Sequence, residues 1–118
     1  MDVPGDVRHD KALQVAHAFD IAGAKARLAE KGGYEVVHES PGLEIGVYVL
    51  VAPEPDHQEP HADDEVYIVL EGQGALEVEG QRVELHVGEA TFVPAGASHQ
   101  FVGYEQLSVL VIFEKARR

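Results

Sequence analysis

Residues 57–65 read HQEPHADDE. His57, His61 and Glu65 follow one another at four-residue intervals, with Glu59 and Gln58 between them. Imidazole nitrogens and carboxylate oxygens are the donors that divalent first-row metals prefer. In an extended chain, residues of equal parity point to one face. His57, Glu59, His61 and Glu65 would then turn one way, and Val66, Ile68 and Leu70 the other. On this segment alone a metal site competes with a plain polar loop, because a chain with 7 histidines produces such spacings by chance.

A second segment, GEATFVPAGASH at residues 88–99, carries the pattern Gly-x5-Pro-x-Gly-x2-His, formed by Gly88, Pro94, Gly96 and His99. The first segment closes with Glu65-x6-Gly72. Together the two resemble the paired motifs of the cupin superfamily, whose usual forms are Gly-x5-His-x-His-x3-4-Glu-x6-Gly and Gly-x5-Pro-x-Gly-x2-His-x3-Asn. The likeness runs from about Leu43 to Phe113, with Gln73 to Val87 as a short connection between the motifs. Two positions depart from the pattern. Glu59 stands in the slot of the first histidine, and Gly103 in that of the terminal Asn. The run PDHQEPHADDEVYIVLEG looks like a subgroup of small single-domain bacterial cupins in which Gln58 is the characteristic residue.

The resemblance implies an all-β barrel of the double-stranded β-helix type and a divalent metal (Fe, Mn, Ni or Zn) held by His61, Glu65 and His99. For the fourth position His57, Gln58, Glu59 and water compete. His57 is preferred, since imidazole suits the softer first-row ions. Two or three neutral imidazoles and one carboxylate leave the ion a net positive charge and open positions. Three functions are then in play. One is a metal-dependent dioxygenase or isomerase acting on a small oxygenated molecule. Another is a module that binds a small molecule or metal without turnover. The last is a structural barrel with a decayed site. No catalytic residue outside the ligand set is assigned.

The elements that must position these residues are legible as short runs. Residues 1–10 read as a loose arm, and Lys11 to Phe19 as a helix of its own or an extended arm. Asp20 is placed to cap a helix from Ile21 to about Lys31, with Ile21, Ala24 and Leu28 as its apolar stripe and Gly32-Gly33 as its stop. Residues 1–33 are thus arm and helix, and 34–118 the barrel, as one domain overall. After Gly33 come YEVVH, LEIGVYVLV, EVYIVL, GALEVE, QRVELH, ATFVP, HQFV and EQLSVLVIFE, punctuated by Gly and Pro. Regular short strands with turn signals indicate a sandwich or barrel. LEVEGQRVEL is a hairpin turning near Gly80, with Leu76 and Val78 on its inner face. EQLSVLVIFE is apolar on both faces, so its outer face meets the helix or a second subunit, and a homodimer is expected.

Other side chains receive blander readings. Tyr48 and Tyr67 are read as core tyrosines, His86 as solvent-facing, and Asp63-Asp64 as a solvated turn. Phe101 shares a face with His99 and is expected to wall the pocket with Phe92. His9, His17 and His38 are assigned nothing.

Composition sets outer bounds. The chain has 118 residues, 45% of them apolar, which suffices for a core without staples. It holds no cysteine, which excludes disulfides and thiolate metal sites and fits a reducing, cytoplasmic setting. The formal charge of −12 repels phosphate backbones, so nucleic acid is not an expected partner. The opening MDVPGDVRHD is acidic and poor in apolar residues, unlike a secretory leader, and no apolar run approaches the roughly 20 residues of a bilayer span. No membrane association is expected.

Overall fold

The computed structural model describes residues 15–115, so the expectations for the first 14 residues, including His9, lie outside it. Residues 15–20 have no regular structure. Helix α1 (Ile21–Leu28) starts where Asp20 leaves the extended region and its carboxylate accepts from Gly23 N at 2.8 Å. It ends three residues earlier than the sequence suggested. Its last turn tightens, with Ala29 N donating to Ala26 O, and Gly32, at φ 79°, carries the chain out.

Eight strands follow: β1 (Gly33–Ser40), β2 (Leu43–Val51), β3 (Glu65–Gly72), β4 (Gly74–Val78), β5 (Gln81–Leu85), β6 (Ala90–Val93), β7 (His99–Val102) and β8 (Gln106–Glu114). They form two antiparallel sheets, a five-stranded one in the order β1-β2-β8-β3-β6 and a three-stranded one in the order β5-β4-β7. The core lies between them. Leu107, Val109 and Val111 of β8 face Leu76 of β4 and Phe101 of β7, all nearly inaccessible to solvent.

The outer face of β8 also has apolar work, as its sequence required. Leu110 joins Val47, Val49 and Leu70 beneath Ala24, Ile21 and Leu28 of α1. Arg27 clamps the helix to β1 by a two-pronged pair with Glu35, at 3.0 and 2.6 Å. Further along that face Val66 and Ile112 are half-buried beside Phe92, which is 59% exposed. Phe92 therefore does not wall the pocket. The β3–β6 register pairs Glu65 with Val93, which puts Val93 inside and Phe92 outside.

The segment between β2 and β3 reaches across the interior, where Asp56 joins Tyr48 of β2 to the backbone of Phe101 on β7. A cavity of about 650 Å³ remains between that segment and β1–β2. No helix among the described residues is long and apolar enough to cross a membrane.

Candidate metal centre

The interior row that contains Glu65 runs Glu44, Phe113, Glu65, Val93 across β2, β8, β3 and β6. Glu65 is 1% exposed. His99 opens β7 in the facing sheet and is also buried. Its Nδ1 lies 2.9 Å from the Ala97 carbonyl oxygen. A carbonyl only accepts, so Nδ1 carries the proton and Nε2 presents a lone pair. That lone pair points at Glu65 Oε2, 3.5 Å away, and Nε2 is buried with no hydrogen-bond partner. His61 arrives from the irregular segment before β3. Its Nε2 stands 3.9 Å from the same carboxylate oxygen, and its ring meets Phe113 edge-on. One donor atom from each of the three residues falls within a 4.8 Å span.

The donor chemistry fits a cation. Leaving a buried nitrogen unsatisfied costs about 1–3 kcal/mol. A divalent ion at this point would be held by His61, Glu65 and His99, satisfying the orphan nitrogen and neutralising the buried carboxylate together. Burial pushes the Glu65 carboxyl above its usual range, while the Tyr67 hydroxyl and the imidazoles of His61 and His99 pull it back. Tyr67 Oη donates to Glu65 Oε1 at 2.6 Å, and burial together with that bond holds its hydroxyl protonated.

The remaining candidates sit elsewhere. His57 is exposed and lines the cavity outside the three-residue cluster. Glu59 is exposed as well. The parity expected from an extended chain fails here because residues 55–64 form no strand. Asp56 and Gln58 turn inward instead. Asp56, 3% exposed, accepts from Tyr48 Oη at 2.7 Å, from Gln58 N and Nε2 at 3.3 and 2.8 Å, and from Phe101 N at 2.8 Å. Gln58 Oε1 lies 3.1 Å from Tyr67 Oη, within hydrogen-bond reach of the tyrosine that holds Glu65. Sequence reasoning missed Asp56. Its signal was an acid two places before Gln58 in a proline-bounded loop.

Other expectations are met or revised. Tyr67 is a core residue, but Tyr48 lines the cavity rather than the core alone. Phe101 shares the interior with His99 and packs on Tyr67 at 4.8 Å. His86 is exposed and pairs with Glu89 at 2.9 Å. Asp63 and Asp64 are not a solvated turn. Asp63 is buried at the cavity wall, and Asp64 ties the loop to Ala95 N at 2.9 Å and to Glu114 N through its carbonyl. Gly96 N donates to His61 O at 2.7 Å, so the second motif holds the first in place. His17 and His38, left unassigned, meet at 3.2 Å where the segment before α1 crosses β1.

Two packed antiparallel sheets with His61, Glu65 and His99 converging inside define a double-stranded β-helix with a candidate metal centre. Residues 47–113 match the family model described as the cupin domain, and the chain belongs to that family. Over 88 residues it is 39% identical to an uncharacterized protein of Streptomyces coelicolor, covering 74% of this chain and 84% of that one. Over 45 residues it is 49% identical to the acireductone dioxygenase of Rhodopseudomonas palustris, covering 35% of this chain and 27% of that enzyme. A cupin superfamily protein of Desulfitobacterium hafniense superposes with a TM-score of 0.65 at 20% identity, over 72% of this chain and 78% of that one.

Proposed function

We propose that this protein holds a divalent transition metal through His61, Glu65 and His99 and brings a small oxygenated molecule to it from the adjoining cavity. The observation that carries this reading is the buried, unpartnered Nε2 of His99 aimed at a buried carboxylate. When bound, such an ion supplies a positive centre that polarises an oxygen of the ligand. The chain's own residues do the rest. Ala97 O fixes the His99 tautomer, Tyr67 orients Glu65, and Phe113 packs edge-on against the His61 ring. The fourth position stays with His57, Gln58, Glu59 or water, and His57 keeps the chemical preference.

The local likeness to acireductone dioxygenase favours a dioxygenase over an isomerase. A specific observation favours the second reading, a binding module without turnover. Among the described residues, the tyrosine hydroxyl against the cluster, that of Tyr67, is committed to Glu65 and does not serve as a free proton carrier. Two further parts of the proposal are a cytoplasmic setting, supported by the absence of cysteine, and a homodimer. The dimer is supported by the uncovered outer row of Phe92, Val66 and Ile112. A light-scattering mass near one chain at micromolar concentration would rule the dimer out.

The metal reading is tested by elemental analysis of protein purified without added metal or affinity tag. One transition-metal ion per chain, lost in His61→Ala and His99→Ala, is expected. Wild-type stoichiometry in both variants would refute the assignment.

A further inference from the structure

The cavity beside the cluster has an uneven supply of hydrogen-bonding groups. Three tyrosines line it, and each has already committed its proton. Tyr34 Oη donates to Glu44 Oε2 at 2.8 Å, Tyr48 Oη to Asp56 Oδ1 at 2.7 Å, and Tyr104 Oη to the Glu54 carbonyl at 2.6 Å. Burial and acidic neighbours raise all three hydroxyls above their usual range, so none becomes an anion under ordinary conditions. What these hydroxyls offer a visitor is lone pairs. The charged groups lean the same way. Among the described residues, Glu44, Glu54 and the buried Asp63 line the cavity against one ammonium, that of Lys31. The other side-chain donors on the lining, among the described residues, are the imidazoles of His57 and His61 and the second N–H of the Gln58 amide, whose first is held by Asp56.

The shape is equally particular. Gly46 is buried, and a Cβ there would come within 2.3 Å of the Tyr34 ring, so this glycine lets Tyr34 lie flat across β2. Tyr34 and Tyr48 meet edge to face at 6.2 Å. The wall therefore combines aromatic faces with acceptors, which suits the C–H faces and hydroxyl edges of a ring compound or the face of a cation.

Resting on the metal-binding reading of the adjoining cluster, we infer that the cavity selects an uncharged or cationic molecule rich in hydroxyl or amine donors, and discriminates against carboxylates and phosphates. Its donors meet the tyrosine oxygens and the carboxylates, while one end reaches His61. An anion of the same size meets the carboxylates of Glu44 and Glu54 and a row of lone pairs.

A matched set of probes tests this: glucose, glucosamine, glucuronate and glucose 6-phosphate. Amide chemical shifts at Tyr34, Glu44 and Tyr104 are followed at high millimolar probe, in protein as purified and after metal is stripped with chelator. One exposed like-charge contact changes affinity by up to roughly fivefold. The two accessible ones, Glu44 and Glu54, predict glucose and glucosamine binding about tenfold or more tighter than either anion. Glu44→Gln, a near-isosteric change, narrows that gap. The inference is overturned if glucuronate or glucose 6-phosphate binds as tightly as glucose, or if no probe moves these resonances. It is also overturned if the preference vanishes in the stripped protein, because discrimination would then belong to the metal. Should the protein carry no metal at all, the preference persists, which separates this inference from the metal assignment.

Discussion

The two histidines of the cluster are held in different ways. His99 begins a strand, its side chain is fully buried, and a carbonyl fixes its ring. His61 sits on an irregular segment, is 35% exposed, and faces the cavity. Preorganised ligands lose little freedom on binding, whereas a ligand on a loop must be ordered. On the proposed metal reading the difference implies a division of labour: the β7 side would supply a fixed point for the ion, and the loop side the contact between ion and visitor.

The largest effect should come from breaking the fixed side. His99→Ala or Glu65→Ala is expected to weaken metal affinity more than about hundredfold, beyond the 10–100-fold typical of outer-shell changes. His61→Ala should cost less, since the loop already bears part of the ordering cost. Calorimetric titration of stripped protein with Zn²⁺ checks the order, and equal losses would erase the distinction between the two sides.

The next largest concerns the anchor of the loop. Asp56→Ala frees the Phe101 N–H and Tyr48 hydroxyl inside the barrel. It should lower unfolding stability by about 2–4 kcal/mol, measured by urea denaturation. A change below about 0.5 kcal/mol would mean that Asp56 does not hold the loop.

A pH profile sharpens the picture of the fixed side. Burial raises the Glu65 pKa above its ordinary 4.5, so in metal-free protein the folded state favours the protonated carboxyl. That contribution is present at low pH. It is lost as pH rises from the ordinary carboxylate range through the raised value, and is constant above it. Glu65→Gln should remove this decline, leaving the variant relatively more stable than wild type at neutral pH. Parallel stability curves for the two proteins would contradict it. With metal bound the sign reverses, because the ion requires the carboxylate.

The smallest effect lies outside the site. Phe92→Ser should alter monomer stability by less than about 0.5 kcal/mol, as befits an exposed position, yet reduce any self-association detected by light scattering.

Where strands exist, the sequence was a good guide. β2 and β7 begin and end where the sequence runs LEIGVYVLV and HQFV do, and alternation grouped Leu107, Val109 and Val111 on one face, which the structure turns inward. His61, Glu65 and His99 were legible because the spacings Glu65-x6-Gly72 and Gly88-x5-Pro94-x-Gly96-x2-His99 resemble the paired cupin motifs. Between Pro53 and Asp64 that guide was lost. Pro55 and Pro60 carry no N–H for a ladder, the chain leaves the pleat, and period-two alternation no longer says which side chain faces in. Asp56 was hidden there, as were the inward turn of Gln58 and the burial of Asp63. Phe92 was misplaced for a different reason. A four-residue strand has too few alternations to fix its register, and only the pairing of Val93 with Glu65 does so.

The central claim is that a metal is held at the fixed side by His99 with Glu65. Its most direct measurement is X-ray absorption at the metal edge of Co²⁺-loaded protein, wild type against His99→Ala. The expected result is a first shell of mixed nitrogen and oxygen donors in which the imidazole scattering falls in the variant. An unchanged spectrum, with His99 making no contribution to the shell, would contradict it.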